Sequence, residues 1–150
     1  MKRLNNKAFT LIELLAVIVI LALIVAIAIP GVTRYLQSAR KGVYYTNAAT
    51  AINAVKDDVN FNGVSSDKVY TIEDVNTLLD TKLKESPFGV EYLENSYVKV
   101  TFDSNGYPTY SICLLDIQGN GFYDATTKAV AFEDLSDDNV KTGLAGVSCE

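Results

Sequence analysis

Hydrophobic and polar positions are spread along this chain in two different ways. From Phe9 to Ile29 only Thr10 and Glu13 are polar, and Leu14 to Ile29 carries no polar side chain at all. At 1.5 Å rise per residue, a helix over this stretch is about 32 Å long, enough to cross the hydrocarbon core of a bilayer. A helix apolar on every side cannot be surrounded by the interior of so small a chain, which argues against a buried core helix. Beyond Pro30-Gly31 the pattern becomes periodic. Val32, Leu36, Ala39, Val43, Ala48, Ile52, Val55 and Val59 recur mostly every three or four residues, with a skip near Gly42. This spacing predicts an amphipathic helix from about residue 32 to 59. It continues the apolar helix across a kink at Pro30 and stops at Asn60-Phe61-Asn62-Gly63.

A second helix is expected after Thr71, which can cap it with Asp74 three residues on. Val75, Leu78, Leu79 and Leu83 form its face, and Ser86-Pro87-Phe88-Gly89 closes it. The period then changes to two. Val98, Val100 and Phe102 alternate with Tyr97, Lys99 and Thr101, then Asp103-Ser104-Asn105-Gly106 turns the chain, and Tyr110, Ile112 and Leu114 continue. That is a β-hairpin. A third strand is expected at Lys128–Phe132, and the tail from Ser136 is polar. The expected fold is α+β: a long N-terminal helix, apolar then amphipathic, whose Val32–Val59 stripe packs on a small antiparallel sheet.

The length, 150 residues, suits one domain, and a 49% hydrophobic fraction is too high for a disordered chain. Thirteen Lys/Arg against eighteen Asp/Glu leave a formal charge of −5, which argues against a nucleic-acid grip built on bulk charge, and no direct nucleic-acid site is evident. The chain has no His. Imidazole general bases, His-ligated zinc and Ser-His-Asp or Cys-His catalysis are therefore excluded.

The first eight residues, MKRLNNKA, carry Lys2, Arg3 and Lys7 and predict an amino terminus held in the cytoplasm. An ordinary secretory signal is the rival reading, with Ala26-Ile27-Ala28 as its A-x-A site. Against it, the apolar stretch is long, the A-x-A lies inside that stretch, and Glu13 interrupts its start. A carboxylate in a membrane segment costs about 2–3 kcal/mol and needs a partner, unless it sits at the headgroup boundary. Cleavage between Ala8 and Phe9 would create an amino group four residues from Glu13, on the same helical face.

Lys7-Ala8-Phe9-Thr10-Leu11-Ile12-Glu13 resembles the class III signal of type IV pilins and pseudopilins: a small residue before the cut, Phe after it, and Glu fifth in the mature chain. Pro30 falls twenty-second in the mature chain, where such pilins commonly carry a helix-disturbing proline. The resemblance covers about the first 30 residues, with Ala8 in place of the commoner Gly. It implies cleavage after Ala8 by a prepilin peptidase and N-methylation of Phe9. It also implies pairing of Glu13 with the Phe9 amine of a neighbouring subunit during assembly. The implied division is a leader at 1–8, a transmembrane and fibre-core helix at 9–30, its amphipathic half at 31–60 and a head at 61–150. The implied function is structural rather than enzymatic. Such a subunit waits as a single-pass membrane protein and polymerises into an extracellular helical fibre of its own copies. It does so with an assembly ATPase, an inner-membrane platform protein and other minor pilins, and the fibre serves adhesion, motility, DNA uptake or secretion. The competing reading is a secreted or membrane-tethered binding domain cut after Ala28 or not cut at all.

Two head features remain. Cys113 and Cys149 are either a disulfide, worth about 3–4 kcal/mol in the chain-entropy model, or two buried thiols; pilins often carry a carboxyl-terminal disulfide loop, so the resemblance implies the bridge. Asp116, Gln118, Asn120 and Asp124, with Gly121 at loop position 6, match part of a calcium loop. Position 12 is Thr127 rather than Glu, so a Gly-rich turn is the competing reading and no metal is assigned. The acidic pairs Asp57/Asp58, Glu91/Glu94 and Asp137/Asp138 lack a supporting aromatic platform and read as solvated surface.

Overall fold

The computed structural model describes residues 9–144 and 146–150. In chain order the elements are α1 (Leu11–Asn62), β1 (Lys68–Thr71), α2 (Ile72–Leu78), β2 (Tyr97–Phe102), β3 (Pro108–Leu115), β4 (Gly121–Phe122) and β5 (Val130–Ala131). Short 3-10 turns follow at Phe132–Asp134 and Asp137–Asn139. One long N-terminal helix and a small antiparallel sheet make the α+β, pilin-like arrangement expected. The chain divides into two compact units between Gln37 and Ser38.

In the second unit, α1 turns Tyr44, Ala48, Ala51, Ile52, Val55 and Val59 inward, all at most 5% exposed. They meet Val98 and Val100 of β2 and Ile112 and Leu114 of β3 in one core, joined by Tyr70, Val75, Phe122 and Val140. Strand alternation produces this layer, because every second residue of β2 and β3 faces the helix. The order β1-β2-β3 is antiparallel throughout, with Lys99 opposite Ser111 and Val100 opposite Tyr110. The far side of β3 is shared: β5 pairs at Ser111 and Ile112, and β4 pairs at Leu114 and Leu115. From α1, Lys56 reaches across to place its Nζ 3.2 Å from the Phe132 ring centroid, a cation–π contact that ties the 3-10 turn to the helix.

The structure changes several expected boundaries. Within the second unit the buried stripe begins at Tyr44, whereas Val43 is 51% exposed. The skip near Gly42 rotates the apolar face, so Val43 is not part of this core. α2 ends at Leu78, with Leu79 extended as C-cap. Leu83 lies beyond the helix because the Asn76 side chain accepts from Leu83 N at 2.6 Å and donates to Leu83 O, turning the chain back. The expected cap does form: Thr71 Oγ1 accepts from Asp74 N, and Asp74 Oδ2 accepts from Thr71 N. β1 and β4 were not expected, and the third expected strand shrinks to Val130–Ala131. An edge strand with only Tyr70 buried, and a two-residue strand bounded by glycine, carry too little periodicity to be read in advance.

Candidate functional site

Two places hold the residues singled out above: the start of α1 and the β3–β4 side of the head. Ala8 lies outside the described residues. Phe9 is 89% exposed and directly precedes the helix cap. Thr10 Nα and Thr10 Oγ1 both donate to Glu13 Oε2 at 2.8 Å, and Glu13 N donates to Thr10 Oγ1 at 3.3 Å. This is a capping box, reading Thr10-Leu11-Ile12-Glu13. Glu13 therefore satisfies the free amide at the helix start, and the helix dipole favours its negative charge there. The T-x-x-E spacing before an apolar run was the signal for it, overlooked beside the charge itself.

From Leu11 onward α1 exposes leucine, isoleucine and valine on every side through Ile29, each at least half exposed. Among the described residues it is the helix long and apolar enough to cross a membrane. Pro30 lies inside α1. Its missing N–H leaves one carbonyl of the preceding turn unpaired. Thr33 Oγ1 donates to Pro30 O at 3.1 Å just beyond.

In the head, Cys113 and Cys149 are bonded to each other. With Leu115 and Ala129 they form a second small core, against which Leu93, Tyr97, Tyr123 and Val147 pack. The bridge thus pins the carboxyl-terminal segment onto β3. Replacing Cys149 with Ser should destabilise the head by about 4 kcal/mol. Urea midpoints with and without reductant check this: the wild type should fall to the variant's value on reduction, and the variant should not respond.

Asp116 is fully buried, yet it does not face an open cation cradle. Its Oδ1 accepts from Gln118 N at 3.0 Å and Asn120 N at 2.9 Å, and its Oδ2 accepts from Ser86 Oγ at 2.8 Å. Asn120 Nδ2 donates to both oxygens. Asp124 turns its carboxylate to the amides of Thr126 and Thr127 in the next turn. The structure therefore separates the four calcium-loop positions: Asp116 and Asn120 meet each other, Gln118 contributes its backbone, and Asp124 organises a different loop. Among the described residues no three acidic or sulfur ligands cluster. The Asp116 loop acts instead as a junction. Asn120 O accepts from Tyr44 Oη at 2.7 Å, Asn120 Oδ1 accepts from Gly143 N, and Gly121 and Lys141 exchange backbone hydrogen bonds. The acidic pairs lie at the surface, although Asp58 Oδ2 accepts from Tyr70 Oη at 2.7 Å.

Tyr44 stands at the centre of this junction, edge-on to Tyr92 at 5.5 Å and to Phe122 at 6.2 Å. Burial raises its phenol well above the usual range, with Tyr92 and Asp116 adding to the effect. Burial likewise pushes Tyr92 up to about 12, partly offset by the hydrogen bond from Asn47. A raised phenol leaves stability intact below the unfolded value near 10 and removes it as pH climbs from there through the folded value. Alkaline unfolding should therefore begin at about pH 10, and the Tyr44 and Tyr92 phenols should ionise only with loss of structure. Absorbance near 295 nm followed beside far-UV circular dichroism tests this, and full tyrosinate formation in the folded chain would contradict it.

Residues 3–29 match the family described as the prokaryotic N-terminal methylation motif. This is the class III prepilin signal of type IV pilins and pseudopilins, and it spans Ala8, Phe9 and Glu13. The chain thus carries the processing signal of type IV pilins and pseudopilins, a structural rather than an enzyme family, together with a pilin-like α+β arrangement. Comparisons with curated proteins and with solved structures return no match.

Proposed function

We propose that this chain is a structural subunit of a type IV pilus-like fibre, polymerising through α1. One observation carries the reading: within the methylation motif, a helix apolar on all sides begins with a single carboxylate that caps its own start. Before assembly the helix is satisfied by lipid, with its amino terminus in the cytoplasm. Prepilin peptidase cuts between Ala8 and Phe9 and Phe9 is N-methylated. An ATPase-driven membrane platform then moves the subunit into a fibre at the cell surface, alongside minor pilins. Inside the fibre the same apolar surface packs against other copies, and the cost of exposing it to water keeps the polymer assembled. Removal of the leader takes three positive charges, Lys2, Arg3 and Lys7, and no acidic side chain, so the thirteen basic residues become ten against eighteen acidic. The mature subunit is an apolar shaft with an acidic head, and what the fibre does at the surface depends on that head.

Mass spectrometry of the mature amino terminus tests the proposal. N-methyl-Phe9 supports it. A terminus at Ile29, or an intact Met1, overturns it in favour of a secreted or tethered binding domain.

A further inference from the structure

The side of the sheet facing away from α1 carries a cleft of about 760 Å³. Its floor is made by Tyr97, Lys99 and Thr101, alternate residues of β2, with Ser111 of β3 directly opposite Lys99. One wall is the β4–β5 turn with Tyr123 and Asp124, and the other is the segment that contributes Asp134, Asp138 and Lys141. Antiparallel alternation accounts for the division of labour, since the same strands send Val98, Val100 and Ile112 into the core.

Three properties of this cleft point to one ligand chemistry. First, donors and acceptors of both charge signs line it: the ammonium groups of Lys99 and Lys141, the Ser111 hydroxyl and the carboxylates of Asp134 and Asp138. An inorganic anion would meet the carboxylates and a cation the ammonium groups. An apolar ligand would strip water from both without replacing their hydrogen bonds. Second, two tyrosines border it, and both pack on the Cys113–Cys149 cluster, so the rings are fixed before anything binds. Fixed aromatic rings supply contact area at low entropic cost. Third, the β4–β5 turn places a non-glycine residue in the left-handed region, and its side chain meets Tyr123. Lys128 is the non-glycine residue with positive φ among the described residues, at 67°. Its Nζ lies 3.2 Å from Tyr123 Oη, and Lys141 Nζ stands 5.9 Å from the same ring. Glycine would adopt that backbone without strain but could not reach Tyr123.

We propose that this cleft is a saccharide-binding site, with Lys99, Lys141 and Asp138 bonding hydroxyl groups and Tyr123 stacking on a sugar ring. A neutral oligosaccharide both donates and accepts hydrogen bonds at many points and carries apolar ring faces, which matches the mixed charge and the aromatic border together. Lys128 is a positioning residue: it orients Tyr123 through its ammonium group.

The test uses the full-length chain, isotopically labelled, in a micelle of non-glycosidic detergent, because maltoside detergents would compete for the site. Lactose, cellotriose and triacetylchitotriose are titrated while amide resonances are followed. The expected result is a saturable shift with at least one of them, confined to residues 97–101, 111 and 121–141, with Kd on the order of 1 mM. Tyr123→Ala and Lys99→Ala should each weaken it about tenfold or more, a loss of about 1.4 kcal/mol. Lys99 is exposed, so its variant keeps the head folded if Tyr123→Ala loosens the disulfide cluster. Lys128→Gly should keep thermal stability and still weaken binding, which a purely structural role would not do. Three outcomes overturn the proposal: no saturable shift with any of the three sugars, binding that Lys99→Ala leaves unchanged, or the same shifts produced by inorganic phosphate alone.

Discussion

Replacing Gly121 with Ala should unfold or severely loosen the head, at a cost of about 3–5 kcal/mol and a fall in Tm of about 10 °C or more. Gly121 has φ 143°, a backbone conformation that side chains disfavour. An added Cβ would overlap the Leu114 carbonyl oxygen and sit 2.8 Å from Tyr44 Oη. Neither neighbour can yield cheaply. Leu114 is paired to Phe122 in the sheet, and Tyr44 Oη donates to Asn120 O one residue away. Shifting Gly121 would also disturb its exchange of hydrogen bonds with Lys141, and with it the attachment of the carboxyl-terminal segment. Gly106 is the control. It has φ 82° but open space around the Cβ position, so Gly106→Ala should cost only the backbone term, about 1–2 kcal/mol. Thermal unfolding followed through the tyrosine near-UV signal separates the two. Equal losses would show that the close approach at Gly121 relaxes and that the junction is softer than its geometry.

The second large effect concerns Glu13, seen as a helix cap and proposed as a partner in assembly. As a cap, its carboxylate accepts from Thr10 N, and a glutamine would serve there almost as well. In the proposed fibre it would also be an assembly partner, with its charge opposite the amine of a neighbouring copy. Glu13→Gln is therefore expected to leave cleavage after Ala8 intact and to reduce fibre yield to near nothing, because an unpaired buried ammonium is strongly disfavoured. Glu13→Ala should lose assembly equally and in addition fray the helix start, at about 1 kcal/mol. Quantifying sheared fibres beside the cleaved subunit in the membrane reads both effects. Normal fibre yield from Glu13→Gln would remove the charge from the mechanism and leave only the cap.

The long apolar helix and the processing motif were legible because each is a local property of the chain. A helix satisfies its own backbone, so an unbroken apolar run is enough to place one, and Thr10-Leu11-Ile12-Glu13 encodes its own start. The hairpin was legible for the same reason: alternation in Tyr97–Phe102 and the Asp103–Gly106 turn are short-range signals. The partial calcium pattern at Asp116, by contrast, left a Gly-rich turn and a cation loop both open. Spacing places oxygen ligands along a loop, but it cannot say where they point. Ser86, 30 residues earlier in the chain, and the loop's own amides claim that carboxylate. The inward turn of Tyr44 was likewise invisible, since its partners Tyr92, Asn120 and Phe122 are distant in sequence.

Sequence alone determined the division between an unbroken apolar segment and an acidic remainder, because hydrophobic free energy follows apolar area, and any contiguous segment displays its apolar residues in its composition. Tertiary structure alone decided where the shaft's stripe becomes core, that Cys113 and Cys149 meet, and that Tyr97, Tyr123 and three lysines gather around one face of the sheet. Those juxtapositions arise from sheet pairing and loop closure between remote residues. Their free energy belongs to no single segment and so leaves no periodic trace in the chain.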